Sequence, residues 1–225
     1  MREIEIQEWG RVAYAEALER QKAAVEDRRA QRTPDRLILL QHPPVVTFGR
    51  SAKPEHLRTP AAELQARGIE VHHVARGGDV TYHGPGQLVG YLVLDLEARG
   101  ACDVHRYLRQ VEGALIDALG SLGVIGRRIE GWTGVFVASS QPPRKIACIG
   151  VGMRGWVTYH GFALNATMDL SEWQDIVPCG LHGVEMTSVK REIGSATGPD
   201  HLLPTTDLFR ATSDAVARSF QASFS

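Results

Sequence analysis

Cys179 stands between Pro178 and Gly180 in the loop DIVPCGLHGVEM, and Lys145 opens the apolar run KIACIGVG. A thiol and an amine can act as nucleophile and proton carrier if the fold brings them together. Chain breakers on both sides of Cys179 predict an accessible sulfur, since a small core thiol is unusual in such a loop; an incidental thiol is the plain alternative. Lys145 adjoins Ile146, Ala147 and Ile149. If it points inward, desolvation lowers its pKa; if it sits at a strand end, it snorkels into water. Only four of the 25 basic residues are lysines (Lys22, Lys53, Lys145, Lys190), so a lysine inside an apolar run invites a reason.

A second feature is RGGDVTYHGPGQ, from Arg76 to Gln87, with four glycines and a proline in twelve residues. Such a segment suits a ligand cradle, where backbone comes close to a bound group, and equally a long hairpin loop. Arg76, Tyr82 and His83 favour binding. The segment lacks the Gly-Lys-Ser/Thr ending of a phosphate loop, and no GxGxxG opens a helix. Nine histidines give no HExxH and no finger spacing with cysteine, and adjacent His72 and His73 face opposite sides of a strand, so no metal is expected. Cys148 reads as a core strand residue, while Cys102, His160 and His182 carry no functional signal.

The elements that must position these residues follow from periodicity. Residues 11–32 read as a helix with Val12, Ala15, Leu18 and Val25 on one side, and RLILLQ (36–41) as a buried strand ended by Pro43 and Pro44. A short helix spans 60–67, and IEVHHV (69–74) and LVGYLVLDL (88–96) are strands. Asp103 caps a long helix to about Leu122. GVFVAS, RKIACIGVG and WVTYHGFALNA are three strands expected to pair antiparallel; a short helix near Ser171 and an amphipathic helix over 206–220, begun by Thr206 or Asp207, complete the chain. The order is mixed α+β around one sheet. TYHG occurs at 81–84 and 158–161, but the flanks differ and duplication is not inferred.

The 225 residues suit one domain, 1–225, with no linker or composition shift. No apolar run approaches the roughly 18 residues of a membrane span. MREIEIQEWG lacks the apolar stretch of a secretory signal, so a cytoplasmic location is expected. Three cysteines with no CxxC pair argue against a disulfide framework. A formal charge of −1 without a basic stripe excludes the usual nucleic-acid footprint.

RGGDVTYHGPGQLVGY, KIACIG, YHGFALN, NATMDL, VPCG and EMTSV together resemble the lipoyl(octanoyl) transferases, in consistent order from LLQHPPVVTFGR (39–50) to Val189. The resemblance implies an α/β fold of the biotin-protein ligase and lipoate ligase catalytic-domain type. It implies transfer of octanoyl from octanoyl-phosphopantetheine on acyl carrier protein to a lysine of lipoyl domains, those of 2-oxoacid dehydrogenase E2 subunits and the glycine cleavage H protein. Neither ATP nor another cofactor is expected. The nucleophile falls on Cys179 and the active-site lysine on Lys145. Acyl-binding segments fall on Arg76, Gly77, Gly78, Asp79, Val80, Thr81, Tyr82 and His83, on Cys148, Ile149 and Gly150, and on Gly161, Phe162 and Ala163, with His42 near the site. Cys148 stands where the family often has Ser or Ala, and Asp79 at a variable position. In this reading an ammonium beside Cys179 matters because a thiol of pKa near 8.5 is only about 3% thiolate at pH 7, and two units lower it is about 75%.

Overall fold

A computed structural model describes residues 3–138, 141–197 and 203–225. In chain order the strands and helices are β1 (Glu5–Arg11), α1 (Tyr14–Arg29), β2 (Arg36–Gln41), β3 (Val45–Phe48), α2 (Ala61–Ala66), β4 (Glu70–His73), β5 (Val80–His83), β6 (Gln87–Val93), α3 (Val104–Ser121), β7 (Gly126–Ile129), β8 (Trp132–Val137), β9 (Arg144–Arg154), β10 (Val157–Asn165), β11 (Glu185–Met186), α4 (Val189–Thr197) and α5 (Thr205–Phe224). The large mixed sheet runs β1-β2-β6-β10-β9-β8-β7, with β11 added beside β9, and a smaller sheet runs β4-β3-β5. The three strands β8, β9 and β10 pair antiparallel as their alternation suggested, although Ser139 of the GVFVAS stretch lies outside the described residues.

β2 shows why RLILLQ is apolar throughout. Its side chains alternate between two covered faces. Leu37 and Leu39 pack with Leu88 and Leu92 of β6 under α3 and α5, through Val111, Leu115, Leu119 and Phe220. Ile38 and Leu40 pack with Val89, Tyr91 and Val93 against α1. α3 buries Tyr107, Val111, Ala114, Leu115, Ala118 and Leu119, the stripe a 3.6-residue period produces, and Asp103 caps it by accepting a 3.0 Å bond from the Arg106 amide. A third apolar cluster joins Val46, Val80, Tyr82, Trp173, Ile176 and Met186 beneath the smaller sheet. Among the described residues no helix is long and apolar enough to cross a membrane.

The helix expected over 11–32 is shorter, and the residues before it form β1, which pairs in parallel with β2. Its buried face is also rotated: Tyr14, Ala17, Gln21, Ala24, Val25 and Arg28 are covered, whereas Ala15 is exposed. Hydropathy hid this because Gln21 and Arg28 belong to the stripe, the latter paired to Asp35 at 2.5 Å. VVTF after the two prolines is strand β3, and a third of the glycine-rich segment is strand β5, paired with it antiparallel. The last helix starts at Thr205 after Pro204 without a side-chain cap, so neither Thr206 nor Asp207 caps it.

Candidate active site

Lys145 and Cys148 are three apart on β9, and strict alternation would send them to opposite faces. The β8–β9 register prevents this. Val135 lies opposite Ala147 and Phe136 opposite Lys145, so two steps on β9 answer one on β8 and Ile146 is the extra residue. A bulge of this kind re-aims the residues beyond it, and both side chains end up lining one cavity of about 220 Å³. The Lys145 Nζ donates to the Thr133 carbonyl at 2.9 Å and lies 5.4 Å from the Phe136 ring centre. Gly134 makes the space: its φ is +122°, and a Cβ there would stand 2.7 Å from Lys145 Cε. Its amide donates to Glu112 Oε1 at 3.0 Å, and fully buried Glu112 is itself paired with Arg109 and Arg128. Glu112 therefore fixes the strand whose carbonyl receives the lysine.

Cys179 arrives from a different part of the chain, in a single 3₁₀ turn over Pro178–Gly180 that rests against β5. Its φ of +54° lies in the left-handed region, a conformation a non-glycine residue keeps only where its surroundings enforce it. The enforcement is visible: the Val177 amide donates to the His56 carbonyl at 2.7 Å, the Gly180 amide to Val177 at 3.0 Å, and Gly180, φ +67°, packs so closely on Asp79 that a Cβ would reach its Oδ2 at 2.7 Å. Asp79 is in turn held by His56 Nδ1 at 2.9 Å and the Val80 amide at 2.6 Å.

The half-buried Cys179 Sγ lies 3.2 Å from Cys148 Sγ, and Lys145 lines the same cavity. The Cys179 thiol is held well below the ordinary thiol range, first by its hydrogen bond from Cys148 and then, against burial, by the Lys145 and Arg76 charges. Cys148 is pushed well up by the same contact and by burial. The sequence reading had burial lowering Lys145. Burial does act that way, but the two neighbouring sulfurs outweigh it and the ammonium is raised overall. Both shifts run in the direction that favours a thiolate beside an ammonium.

Arg76, Gly78, Asp79, Thr81, His83, Cys148, Ile149, Gly150, Gly161, Phe162 and Ala163 all line the cavity with Lys145 and Cys179. Val80 and Tyr82 do not, because alternation along β5 turns them into the cluster with Trp173. Gly77 contributes backbone: its amide donates to Val151 at 2.8 Å and its carbonyl receives Arg76 at 3.1 Å. Buried Arg76 is further tied to the Thr47 carbonyl and hydroxyl, each at 2.8 Å. Cys148 is a buried strand residue as its run suggested, but its sulfur faces the site.

Several lining residues carried no signal in the sequence, among them Tyr14, Val89, Tyr91, Trp132, Thr133 and His160. They come from four separate elements and meet only in the fold. Tyr14, His83, Tyr91 and His160 form a wall of rings, with Tyr14 stacked on His83 and Tyr91 edge-on to His160. Burial depresses His42 to about 4, His160 to about 3, and His83 well below its usual value, so all three are neutral at pH 7. His42 Nδ1 donates to the Val12 carbonyl at 2.8 Å, which leaves Nε2 to accept from the Tyr91 hydroxyl at 2.8 Å. The two TYHG strings thus each send a histidine, His83 and His160, to one cavity from different sheets. The wall is polar at its atoms but carries no charge, and an apolar chain can pass along it.

A family model, the lipoyl protein ligase A/B catalytic domain, matches residues 13–206. An octanoyltransferase of Acidobacterium capsulatum is 45% identical over 192 residues, covering 82% of this chain and 78% of its own. One of Solibacter usitatus is 49% identical over 181 residues, covering 80% of each. A lipoate protein ligase from T. acidophilum, solved with bound lipoic acid, shares the fold with a TM-score of 0.70 over 98% of this chain and 86% of that one, at 16% identity. The chain belongs to the lipoyl protein ligase A/B catalytic-domain family, among its octanoyltransferases.

Proposed function

We propose that this octanoyltransferase takes its acyl group from the phosphopantetheine thioester of octanoyl-acyl carrier protein. It holds the group as a thioester on Cys179 and delivers it to a lysine of a lipoyl domain, such as those of 2-oxoacid dehydrogenase E2 subunits or the glycine cleavage H protein. The observation that carries this reading is the placement of Cys179 and the Lys145 ammonium on the wall of one acyl-sized cavity, although they come from distant parts of the chain.

In the first half-reaction the Cys179 thiolate attacks the donor carbonyl, and Lys145 gives its proton to the departing pantetheine sulfur. One thioester replaces another, so little driving force is needed. Acylation also erases the negative charge that raised Lys145. Burial, the largest influence on its pKa, then acts against the ammonium with less opposition, which favours the neutral amine. That amine takes one proton from the incoming lysine as it attacks; the second proton of an incoming ammonium goes to water, and Cys179 leaves as thiolate. The charge state of the sulfur thus makes Lys145 an acid in one step and a base in the next. The thioester-to-amide exchange is downhill and consumes no nucleotide.

Ile149, Val89, Phe162 and Ala163 offer apolar walls to the chain. Six methylenes at about 0.8 kcal/mol each amount to about 5 kcal/mol of burial, enough for cavity depth to discriminate chain length.

The test is a nucleotide-free reaction of the purified protein with octanoyl-acyl carrier protein and an unmodified lipoyl domain. An octanoyl amide on the domain lysine is expected. A requirement for ATP together with free octanoate, unaffected by Cys179→Ala, would instead make the protein a ligase. Free octanoate as the sole product would make it a thioesterase.

A further inference from the structure

We propose that Cys148 and Cys179 form a peroxide-responsive dithiol, with Cys179 as the oxidised thiol and Cys148 as its resolving partner. Their sulfurs lie 3.2 Å apart, against about 2.05 Å in a disulfide, so a small side-chain adjustment suffices to join them. The two thiols come from separate parts of the fold, β9 and the 178–180 turn, yet share one cavity. Peroxide is little larger than water and can enter a cavity of about 220 Å³. Cys102, the third cysteine, is exposed, and it does not line that cavity.

In the first step the Cys179 thiolate attacks hydrogen peroxide and displaces hydroxide, which takes a proton from Lys145 and leaves as water; Cys179 becomes a sulfenic acid. In the second, the Cys148 sulfur attacks that sulfenic sulfur, hydroxide leaves with the Cys148 proton as a second water, and the disulfide forms. Two thiols and one peroxide give one disulfide and two waters. A dithiol reductant returns two electrons and two protons and restores both thiols. The arrangement shields Cys179: a sulfenic acid with no neighbouring thiol continues to sulfinic acid, which ordinary thiols do not reverse. A charge-activated nucleophile is oxidised readily for the same reason that it acylates readily, and the neighbour 3.2 Å away converts damage into a reversible stop.

The test uses the whole protein, treated with one equivalent of hydrogen peroxide, denatured in a thiol-alkylating reagent and analysed by intact and peptide mass spectrometry. Alkylatable thiols should fall from three to one, with Cys148 and Cys179 recovered in one disulfide-linked peptide and Cys102 alkylated. Dithiothreitol should restore all three. Cys102→Ser should behave in the same way, and Cys148→Ala, given a second equivalent of peroxide, should carry its sulfenic acid on to sulfinic acid on Cys179 that dithiothreitol does not reverse. Sulfinic acid appearing at the same rate with and without Cys148, and no linked peptide, would overturn the proposal. Only the loss of transfer on oxidation rests on the reading of Cys179 as nucleophile. If the disulfide forms but transfer continues, that reading fails while the dithiol stands; if no disulfide forms, the dithiol fails and the nucleophile is untouched.

Discussion

Cys179→Ala should lower octanoyl transfer by at least about 10³-fold while leaving the fold and donor binding near their original levels. The substitution removes the sulfur to which the acyl group would be attached, and the cavity walls on β5, β9 and β10 stay where they are. The turn around it is held by backbone hydrogen bonds at Val177 and Gly180 and by Asp79 beneath, none of which uses the thiol. The loss should therefore fall in kcat with little change in KM for the acyl donor. Steady-state kinetics with octanoyl-acyl carrier protein and a lipoyl domain, alongside a thermal melt, separate this from unfolding. A variant transferring within tenfold of the original would mean that the lysine of the acceptor attacks the carrier thioester directly.

Lys145→Met should cost about 10² to 10⁴ in turnover, the range for losing a positioned acid or base. Methionine resembles the lysine stem in length and keeps the packing against Gly134. Lys145→Arg, which retains charge but not ready proton exchange, should also fail, and the close Gly134 leaves a guanidinium little room. The variant has a distinctive pH behaviour. The ammonium helps hold Cys179 below the ordinary thiol range, so its removal raises that pKa and the thiolate needs a higher pH to form. Alkylation of Cys179 should then be slower than in the unaltered protein at pH 7, and the gap should close as pH rises toward 9. Acyl transfer should not recover to the same extent, because the proton carrier for the second half-reaction is still missing. Equal alkylation rates at pH 7 would show that the ammonium does not activate the thiol.

Much of this site could be read from residue context, for reasons specific to each residue. Cys179 announced itself because prolines and glycines do not surround core thiols, and the turn at Pro178–Gly180 is what those breakers build. The segment 76–87 stood out by its glycines and does supply residues to the cavity wall, but the same glycines concealed β5, whose four residues alternate between the cavity and Trp173. The long helix α3 carried both its stripe and its Asp103 cap in the sequence. What could not be read depends on contacts between distant residues. The bulge at Ile146, which puts Lys145 and Cys148 on one side, leaves no local trace in the sequence and exists only against β8. Glu112 reads as one more helix acid until Gly134, Arg109 and Arg128 close on it. Tyr14 and His160 join His83 only because α1, β10 and β5 each send a side chain to the same cavity. The direction of the Lys145 pKa likewise depended on the sulfurs beside it, which come from elsewhere in the chain.

The central claim is that the octanoyl group passes through Cys179, and the most direct measurement is intact-protein mass spectrometry after mixing with octanoyl-acyl carrier protein and no acceptor. One octanoyl adduct is predicted on the unaltered protein, located by peptide mapping to the segment carrying Cys179, discharged on adding a lipoyl domain, and absent from Cys179→Ala. No adduct on the unaltered protein, or an adduct mapping to Cys148 instead, would contradict the account.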